Sequence, residues 1–540
     1  MDLKVIEVKH NAKLVEDYLT QGERIQSFFD YPFNEQSAYQ ERLQSIHQRS
    51  YGREDLVRVL GAFNKKYTDH ENVFANIEKL NNVKSAAVVG GQQAGLLTGP
   101  AYSIHKCISI IKLAREQEGQ LGIPVIPIFW IAGEDHDFDE VNHVHIPADG
   151  GQKKLVYQKK FGNKTSVSKL TIDKADLMQW INAVFQAFGE TDHTAQILTD
   201  LEEAVNYSRT VVDFFACLIH KLFAPYGLVL LDSADPAVRK LEAGYFQELL
   251  AHHKEINQAV ISQLNHLEGS GYKVDLDQAE GNVNLFYDDK GNRELLEEDG
   301  NLIKGKSGTV RFDLSQLQGI AEETPEVLSN NVVTRPIMQD LLLPTLAFIA
   351  GPGEIAYWSA LKKAFHQVSI DMPPVVPRLH MTLISRGAKK WLDNKELSIQ
   401  KVLQADINQL KEEWLSAQHD WRVGDTVNTF RKSVKDAYGP MKELAVDISR
   451  GLDKISDKNI AIIERDIDVM EKKMMQMIEL QYESELKRFQ RVENNLCPSG
   501  VPQERFWSIF YFINRHGFGL IPHLLDQQYQ FNGYQHVIEL

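Results

Sequence analysis

The stretch between residues 85 and 139 constrains the fold of this chain more than any other part. Residues 85–89 (SAAVV) form a short apolar run, which is typical of a buried strand. A glycine-rich loop follows, and Pro100 then suits the first turn of a helix. A second apolar run, residues 123–132, ends directly before the sequence GEDHD. Strand, loop, helix and strand in this order predict one βαβ unit of a parallel sheet.

Further apolar runs repeat this pattern along the chain. Residues 227–231 (GLVLL) lead into the polar loop DSADP, residues 345–350 lead into a Gly-Pro-Gly loop, and residues 374–384 predict a last strand. We therefore expect an α/β fold with a Rossmann-type parallel-sheet core. Ligands of open parallel sheets bind beyond the carboxyl ends of the strands, so the glycine-rich loop and the GEDHD loop, which both leave such ends, should converge on one crevice.

Residues 268–315 have a different pattern. Short strand-like runs alternate there with the turn signals DKGN and EEDGN, which predicts a small antiparallel insertion. Within it, residues 300–307 (GNLIKGKS) match the phosphate-binding pattern G-x-x-x-x-G-K-[ST]. A P-loop needs a strand before it and a helix after it. Here a hairpin turn precedes the match and residues 308–312 continue as a strand, so we interpret the match as coincidental.

The part of the chain after residue 390 predicts long helices. Glycine is sparse there, charge is dense, and apolar residues follow a spacing of three and four, which favours an antiparallel coiled coil. We expect its exposed flanks to make a dimer contact, and we interpret the methionines of its seam as core packing. The seam comprises Ile460, Ile463, Ile467, Met470, Met474 and Met477.

The length of 540 residues exceeds what a single core usually organises, so we expect more than one domain. The predicted core spans residues 1–389 and carries inserted segments at about 150–200 and 255–330. The coiled coil spans residues 390–497, and residues 498–540 are expected to pack back on the core.

Charge and the N-terminal sequence limit the function classes. The 59 basic and 74 acidic residues give a net charge of −15, which disfavours an extended nucleic-acid surface. The start, MDLKVIEVKH, lacks a signal-peptide core, and no apolar run approaches the roughly 20 residues that span a bilayer. The three cysteines make no CxxC pair. We expect a cytoplasmic protein that binds neither nucleic acid nor membrane.

The loop before Pro100 predicts an anion site. Glycines allow backbone N–H groups to approach a ligand closely, and the following helix adds a partial positive charge at its N-terminus. Together these features favour a phosphate or a carboxylate, although a glycine turn that only permits tight packing is the alternative. His105 lies one turn into the helix, where it could face the anion or serve only in packing. The expected ligand contacts are Gln92, Gln93, Thr98, Gly99, Tyr102, Ser103 and Lys106.

The GEDHD sequence predicts acid–base chemistry. Glu134, Asp135, His136 and Asp137 follow a nearly all-apolar run, and crowded carboxylates raise one another's pKa while an imidazolium lowers it. Such a group could deprotonate an amine or a thiol. A solvated loop with a capping carboxylate is one alternative, and a divalent-metal site that also uses the histidines at 143 and 145 is another. We expect no metal, because no familiar ligand spacing is present.

Two arginines near later strands are further candidates. Arg335 and Arg378 could recognise a carboxylate through two hydrogen bonds, although structural ion pairs are the alternative.

Four motifs resemble a known family over essentially the whole chain. GGQQAGLLTGPAYSIHK, IFWIAGEDHDFDEV, TRPIMQDLLLPTLAFIAGPGEIAYW and PRLHMTLI are similar to the bacillithiol biosynthesis cysteine-adding enzymes, the BshC family. The resemblance implies a nucleotidyltransferase-like Rossmann core and a coiled coil that makes a homodimer. It also implies the last step of bacillithiol synthesis, in which the carboxyl group of L-cysteine is joined to the amine of glucosaminyl-malate.

The resemblance also implies activation of the cysteine carboxyl group with ATP. The sequence departs from the nucleotidyltransferase pattern, because TGPAYSIHK stands where an HxGH-type motif would be expected and no KMSKS loop is present. On this hypothesis Asp135, His136, Asp137 and His105 are catalytic. Two alternatives stay open: a nucleotide-binding coiled-coil scaffold, and a metal-dependent hydrolase that uses the GEDHD cluster with His143.

Overall fold

The computed structural model describes residues 3–148, 151–158, 165–404, 407–418 and 421–540. The chain divides into two units. The body comprises Met1–Arg386 and Pro502–Leu540, and the coil unit comprises Gly387–Val501. In sequence, the coil unit is thus an insertion into the body.

The apolar runs form a five-stranded parallel sheet inside the body. Its strand order is β13-β12-β2-β3-β6, and every neighbouring pair is parallel. This confirms the Rossmann-type core. The strands of the chain are β1 (Leu3–Ile6), β2 (Ala86–Gln92), β3 (Val125–Ile131), β4 (His143–Ala148), β5 (Gly151–Val156), β6 (Val229–Asp232), β7 (Asn282–Asp289), β8 (Asn292–Asp299), β9 (Leu302–Gly305), β10 (Arg311–Phe312), β11 (Leu328–Asn330), β12 (Thr345–Ala350), β13 (Val375–Pro377), β14 (His380–Ile384) and β15 (Gln535–Glu539).

Within the described residues, no helix is both long and apolar enough to cross a membrane.

Helices cover the sheet and build most of the rest of the chain. The helices of the body are α1 (Lys13–Leu19), α2 (Glu23–Gln26), α3 (Gln36–His47), α4 (Arg53–Lys65), α5 (Glu71–Lys79), α6 (Tyr102–Leu121), α7 (Lys174–Phe188), α8 (Thr194–Tyr207), α9 (Val211–Phe223), α10 (Pro236–Ala251), α11 (His253–Gly269), α12 (Leu314–Glu323), α13 (Thr334–Leu342), α14 (Pro352–Trp358), α15 (Lys362–Gln367), α22 (Gln503–Phe506), α23 (Ile509–His516) and α24 (Leu520–Asp526). Those around the coil unit are α16 (Arg386–Asn394), α17 (Ile399–Gln404), α18 (Ile407–Ala417), α19 (Val423–Ile448), α20 (Asp453–Gln481) and α21 (Glu483–Leu496).

Strand β2 continues further than the sequence predicts. The apolar run ends at Val89, but the strand includes the next three residues and pairs Gln92 with Ile131 of β3. The glycines permit this close pairing, because a Cβ on Gly91 would lie 2.9 Å from the carbonyl oxygen of Trp130. Two of the predicted loop glycines therefore belong to the sheet.

The prediction of one last strand at residues 374–384 is wrong, because the chain changes sheets there. Strand β13 pairs with β12, whereas β14 joins a second sheet of order β1-β15-β14. The change occurs at Arg378, whose N–H still donates to Ala350, and at Leu379, whose N–H donates to the hydroxyl of Ser109. A side chain thus replaces the strand partner at the point of the change.

The predicted antiparallel insertion is confirmed. Strands β7 to β11 form a sheet of order β10-β9-β8-β7-β11. The sequence GNLIKGKS starts at the turn between β8 and β9, where Gly300 has a φ of +67°, and β10 follows it. It therefore lies in a β-hairpin with no helix directly after it, and our interpretation of the P-loop match as coincidental is confirmed.

The coil unit contains an antiparallel helix pair, as predicted. Ion pairs join Arg431 to Asp468 at 2.7 Å and Lys435 to Glu464 at 2.6 Å, so residue numbers rise on α19 as they fall on α20. The interpretation of the methionines as core packing is wrong. Met470 and Met477 are 62% and 65% exposed, because they lie outside the face of α20 that meets α19.

The carboxyl end of β6 contains a buried carboxylate. Asp232 is 5% exposed, accepts a hydrogen bond from the Ser168 hydroxyl at 2.7 Å and accepts another from the Ala234 N–H at 3.1 Å. Burial raises the pKa of Asp232 to about 6, against an ordinary value of 3.8. Its side chain also crowds Gly133, where an added Cβ would lie 2.1 Å from Oδ1.

We expect Asp232→Asn to stabilise the chain above pH 6. Because the pKa is raised in the folded state, ionisation of Asp232 destabilises the fold; this penalty is fully present above pH 6 and disappears as the pH falls towards the ordinary value of 3.8. The gain should be about 1–3 kcal/mol at pH 8 and clearly smaller at pH 5. Urea unfolding at both pH values measures it. The exposed Asp192→Asn is the matched control, and an equal effect at both pH values would contradict the assignment.

Candidate active site

A cavity of about 630 Å³ opens at the carboxyl edge of the parallel sheet. Its walls come from the ends of β2, β3 and β12, from the inserted antiparallel sheet and from α22. The loops that follow β2 and β3 do converge on one crevice there, as predicted. The predicted site residues that line the cavity are Gln92, Gln93, Tyr102, Lys106, Glu134, Asp135, His136, Asp137, Arg335 and Arg378.

The structure does not bring four predicted site residues to the cavity. They are Thr98, Gly99, Ser103 and His105, and the three with side chains are at most 1% exposed. Residues beyond the coil unit cover this part of the helix. The N–H of Ala101 donates to the Trp507 carbonyl at 2.7 Å, and the Ser508 hydroxyl donates to the Leu97 carbonyl at 2.9 Å. The start of α6 is therefore covered by protein rather than open to a ligand.

Asp135 is the most firmly held member of the GEDHD loop. Its Oδ1 accepts the N–H groups of His136 at 2.7 Å and Asp137 at 3.3 Å, and its Oδ2 accepts the Gln93 amide at 2.8 Å. Burial by itself raises the pKa of Asp135, but these hydrogen bonds and the Arg293 guanidinium lower it below its ordinary value. Asp135 is thus ionised at neutral pH, and its lone pairs are used to orient the loop.

His136 lies between a cation and a carboxylate. Its Nδ1 is 3.2 Å from Nη1 of Arg293, and its Nε2 is 3.5 Å from Oδ1 of Asp137. A guanidinium can only donate, so Nδ1 accepts and Nε2 carries the proton in the neutral ring. Asp137 is 57% exposed at its side chain, which leaves its carboxylate accessible from the cavity. The loop therefore presents an accessible carboxylate backed by an imidazole N–H.

The alternative metal site with all three histidines does not form. Ligand atoms of Asp135, His136 and Asp137 lie within 4.8 Å of one another, but the Arg293 guanidinium contacts the same imidazole. His143 and His145 do not line the cavity, and the ring of His145 stacks on Phe506 at 3.9 Å. A divalent cation at the loop would have to bind beside a fixed positive charge, which opposes it.

Five cations line the cavity, and sequence reasoning missed two of them. Arg293 comes from β8 and Arg505 from α22, where no local pattern marks either as functional. Lys106 donates to the Gly91 carbonyl at 2.7 Å and to Glu354 at 2.5 Å. Arg335 donates to the Tyr357 hydroxyl at 3.0 Å. The fifth is Arg378, and the carboxylates of the lining are Glu134, Asp135, Asp137 and Glu354.

Four lining residues hold buried polar atoms without a hydrogen-bond partner. These atoms are both side-chain amide atoms of Asn330, Oε1 of Glu134, Nη1 of Arg378 and Nε1 of Trp130. Asn330, which sequence reasoning also missed, is joined to Glu134 because its backbone N–H donates to Oε2 at 3.2 Å. A buried polar group that lacks a hydrogen bond typically lowers the stability of the fold by about 1–3 kcal/mol. Their concentration at one cavity indicates that a ligand or water completes these hydrogen bonds.

The family model for the bacillithiol biosynthesis BshC N-terminal Rossmann-like domain matches residues 1–379, and the model for the C-terminal coiled-coil domain of the same family matches residues 381–540. Proteins named "Putative cysteine ligase BshC" are similar throughout. That of Geobacillus kaustophilus is 40% identical over all of both chains, and that of Geobacillus thermodenitrificans is 41% identical over 97% of each.

A relative from another genus agrees with these matches. The protein of the same name from Bacillus cytotoxicus is 39% identical and covers the whole of both chains. Family models and relatives thus span both the parallel-sheet body and the coil unit. The chain belongs to the bacillithiol biosynthesis BshC family.

Proposed function

We propose that the protein is a cysteine ligase that joins the carboxyl group of L-cysteine to the amine of glucosaminyl-malate and so forms bacillithiol. Family membership and the names of the relatives support a cysteine ligase. The single observation that carries the proposal is the cavity at the sheet edge, which an accessible carboxylate and five cations line together. We also propose that the reaction occurs in the cytoplasm, as part of small-molecule biosynthesis.

The charges of the cavity suit these substrates. Glucosaminyl-malate carries two carboxylates and an ammonium group, and cysteine carries one of each. Arg335 and Arg378 line the cavity and suit the malyl carboxylates, because a hydrogen bond from a guanidinium to a carboxylate is charge-assisted and therefore strong. Glu134 and Asn330 offer unpartnered acceptors to an ammonium group. One cavity thus contains the complementary groups for both ends of the acceptor.

Amide formation requires the ammonium group of the sugar to lose a proton before nitrogen attacks the carboxyl carbon. We propose that Asp137, the most exposed carboxylate of the loop, is the base that accepts this proton. Nε2 of His136 lies 3.5 Å from Oδ1 of Asp137. Asp135 holds both residues through their backbone N–H groups. The leaving group of the activated carboxyl then departs as the new C–N bond forms.

A free carboxylate does not form an amide in water without activation, and we propose that ATP supplies it. Lys106, Arg293 and Arg505 are cations of the same cavity whose charge fits a polyphosphate. These residues would hold the phosphates near the cysteine carboxyl group.

One incubation tests the reaction. Purified protein with glucosaminyl-malate, L-cysteine and ATP should yield bacillithiol and an equal amount of AMP or ADP, read by mass spectrometry. Which nucleotide appears identifies the activation chemistry. The absence of a thiol product from folded protein would contradict the proposal and favour the alternative of a nucleotide-binding scaffold.

Changes in the GEDHD loop should remove activity. We expect Asp137→Asn and His136→Ala to lower kcat by about 10²-fold or more, because a positioned acid–base group typically contributes that much. Asp139→Asn is the matched control, since Asp139 is exposed in the same segment but does not line the cavity. Full turnover by Asp137→Asn would exclude that residue as the base.

We also propose that a second copy of the chain covers the coil unit. Apolar side chains on its helix pair are largely exposed, and patches of this kind mark interaction sites. They include Phe430, Met441, Leu444, Ile448, Ile455, Ile462, Val469, Met470, Met477 and Leu480. A homodimer through this surface would bury them.

The double variant Met470→Glu/Met477→Glu should be monomeric at concentrations where the natural chain is a dimer. Two buried carboxylates in each copy would have no partner, so association should weaken by at least about 10²-fold. Size-exclusion chromatography with light scattering measures the mass. Lys472→Glu is the control, because it lies about 200° around the helix from Met470. An unchanged dimer mass for the double variant would place the interface elsewhere.

A further inference from the structure

Glu504 is a fully enclosed carboxylate outside the predicted site. It lies in α22, beyond the coil unit in sequence, and is 2% exposed. Its Oε1 accepts Nη2 of Arg378 at 2.6 Å and Nδ1 of His380 at 2.8 Å. Its Oε2 lies 3.1 Å from both Nδ1 of His105 and the N–H of Met381. Four donors therefore converge on one carboxylate, which uses all of its acceptor capacity.

These contacts keep Glu504 ionised inside the protein. Burial alone would raise the pKa of its carboxyl group, but Arg378 and His380 lower it well below the ordinary value. His105, which does not reach the cavity, supplies one of the hydrogen bonds. The predicted catalytic histidine is thus a support for Glu504.

Arg378 joins this buried cluster to the cavity. Its Nη2 is bound to Glu504, whereas its Nη1 is buried without a partner. The residue is 3% exposed and lines the cavity beside Tyr102, whose ring centroid is 5.6 Å from the guanidinium carbon. Glu504 therefore fixes the plane of the guanidinium and leaves one nitrogen for a ligand.

The neighbours of Glu504 have separate tasks. Gln503 attaches the segment to β14, because its amide accepts the Leu383 N–H and donates to the Leu383 carbonyl, both at 2.8 Å. Arg505 lines the cavity as a further cation. Three successive residues thus have different roles: Gln503 attaches the segment, Glu504 orients Arg378, and Arg505 lines the cavity.

We propose that Glu504 is a positioning residue that orients Arg378 to bind a carboxylate of the substrate. The ligand class is a dicarboxylate, which the guanidinium groups of Arg378 and Arg335 can contact together in the cavity that both line. The choice of a malyl group as that dicarboxylate rests on the proposed function. Binding of the dicarboxylate itself depends only on the geometry of the cavity.

Calorimetric titration of the full-length protein with free malate tests the proposal. We expect Glu504→Gln and Arg378→Gln each to weaken malate binding about tenfold, because each removes one oriented charge-assisted hydrogen bond. The double variant should bind no more weakly than Arg378→Gln alone, because Glu504 acts through Arg378. In the ligase assay the change should appear in KM for glucosaminyl-malate, with kcat nearly unchanged.

Two further variants separate positioning from folding. Gln503→Ala is the matched control, which should lower the melting temperature but leave malate affinity unchanged. Arg378→Lys keeps the positive charge and leaves Glu504 unchanged. One ammonium group cannot hydrogen-bond to both Glu504 and a ligand in the geometry of the guanidinium, so the malate affinity of this variant should fall as well. This variant tests the proposal even if Glu504→Gln does not fold.

Several outcomes would overturn the proposal. Natural affinity in folded Glu504→Gln, or additive losses in the double variant, would show that Glu504 does not act through Arg378. Absence of malate binding by the natural chain would overturn the carboxylate assignment, even if the ligase reaction occurs. Glu504-dependent malate binding by a chain that forms no thiol would support the positioning role and contradict only the proposed function.

Discussion

One buried guanidinium holds together the sheet edge that carries the cavity. Arg239 forms ion pairs with Glu134 and Glu242, and none of the three is more than 4% exposed. Burial and the nearby Glu134 raise the pKa of Glu242 to about 7, although Arg239 lowers it. Glu134 also accepts a hydrogen bond from the N–H of Asn330 in the inserted sheet. The position of that sheet strand therefore depends on the Arg239–Glu134 ion pair. Breaking a buried pair of this kind typically costs about 3–5 kcal/mol, because a charge is left uncompensated.

The local sequence pattern was sufficient to predict those cavity residues that directly follow β2 and β3. An apolar run that stops at polar residues marks a strand end, and parallel strands bring their carboxyl ends together. For this reason Gln92, Gln93 and residues 134–137 were found from sequence, and all of them line the cavity. Lys106 was found in the same way, as a residue one turn into the following helix. Each lies within a few residues of a strand end or helix start.

Long-range contacts account for what the sequence did not reveal. Arg293 and Asn330 reach the cavity from an inserted sheet, and Arg505 reaches it from beyond the coil unit, so no spacing links them to the GEDHD loop. The same distant segment covers the start of α6, so Ser103 is buried. The local sequence pattern had predicted that this helix start is open to a ligand. The exposure of Met470 has a related cause, because an apolar seam does not reveal which of its members meets the partner helix.

The pairing of β1 with β15 has a consequence for synthesis on the ribosome. Leu3–Ile6 forms the edge strand beside Gln535–Glu539, and α22 contributes Glu504 and Arg505 to the cavity region. At about 5–20 residues per second, roughly half a minute to two minutes separate the translation of these two strands. During this time the nascent parallel sheet can pair, but β1 has no partner and Arg378 has no Glu504. The growing chain therefore carries an unfinished cavity until the residues that follow the coil unit emerge.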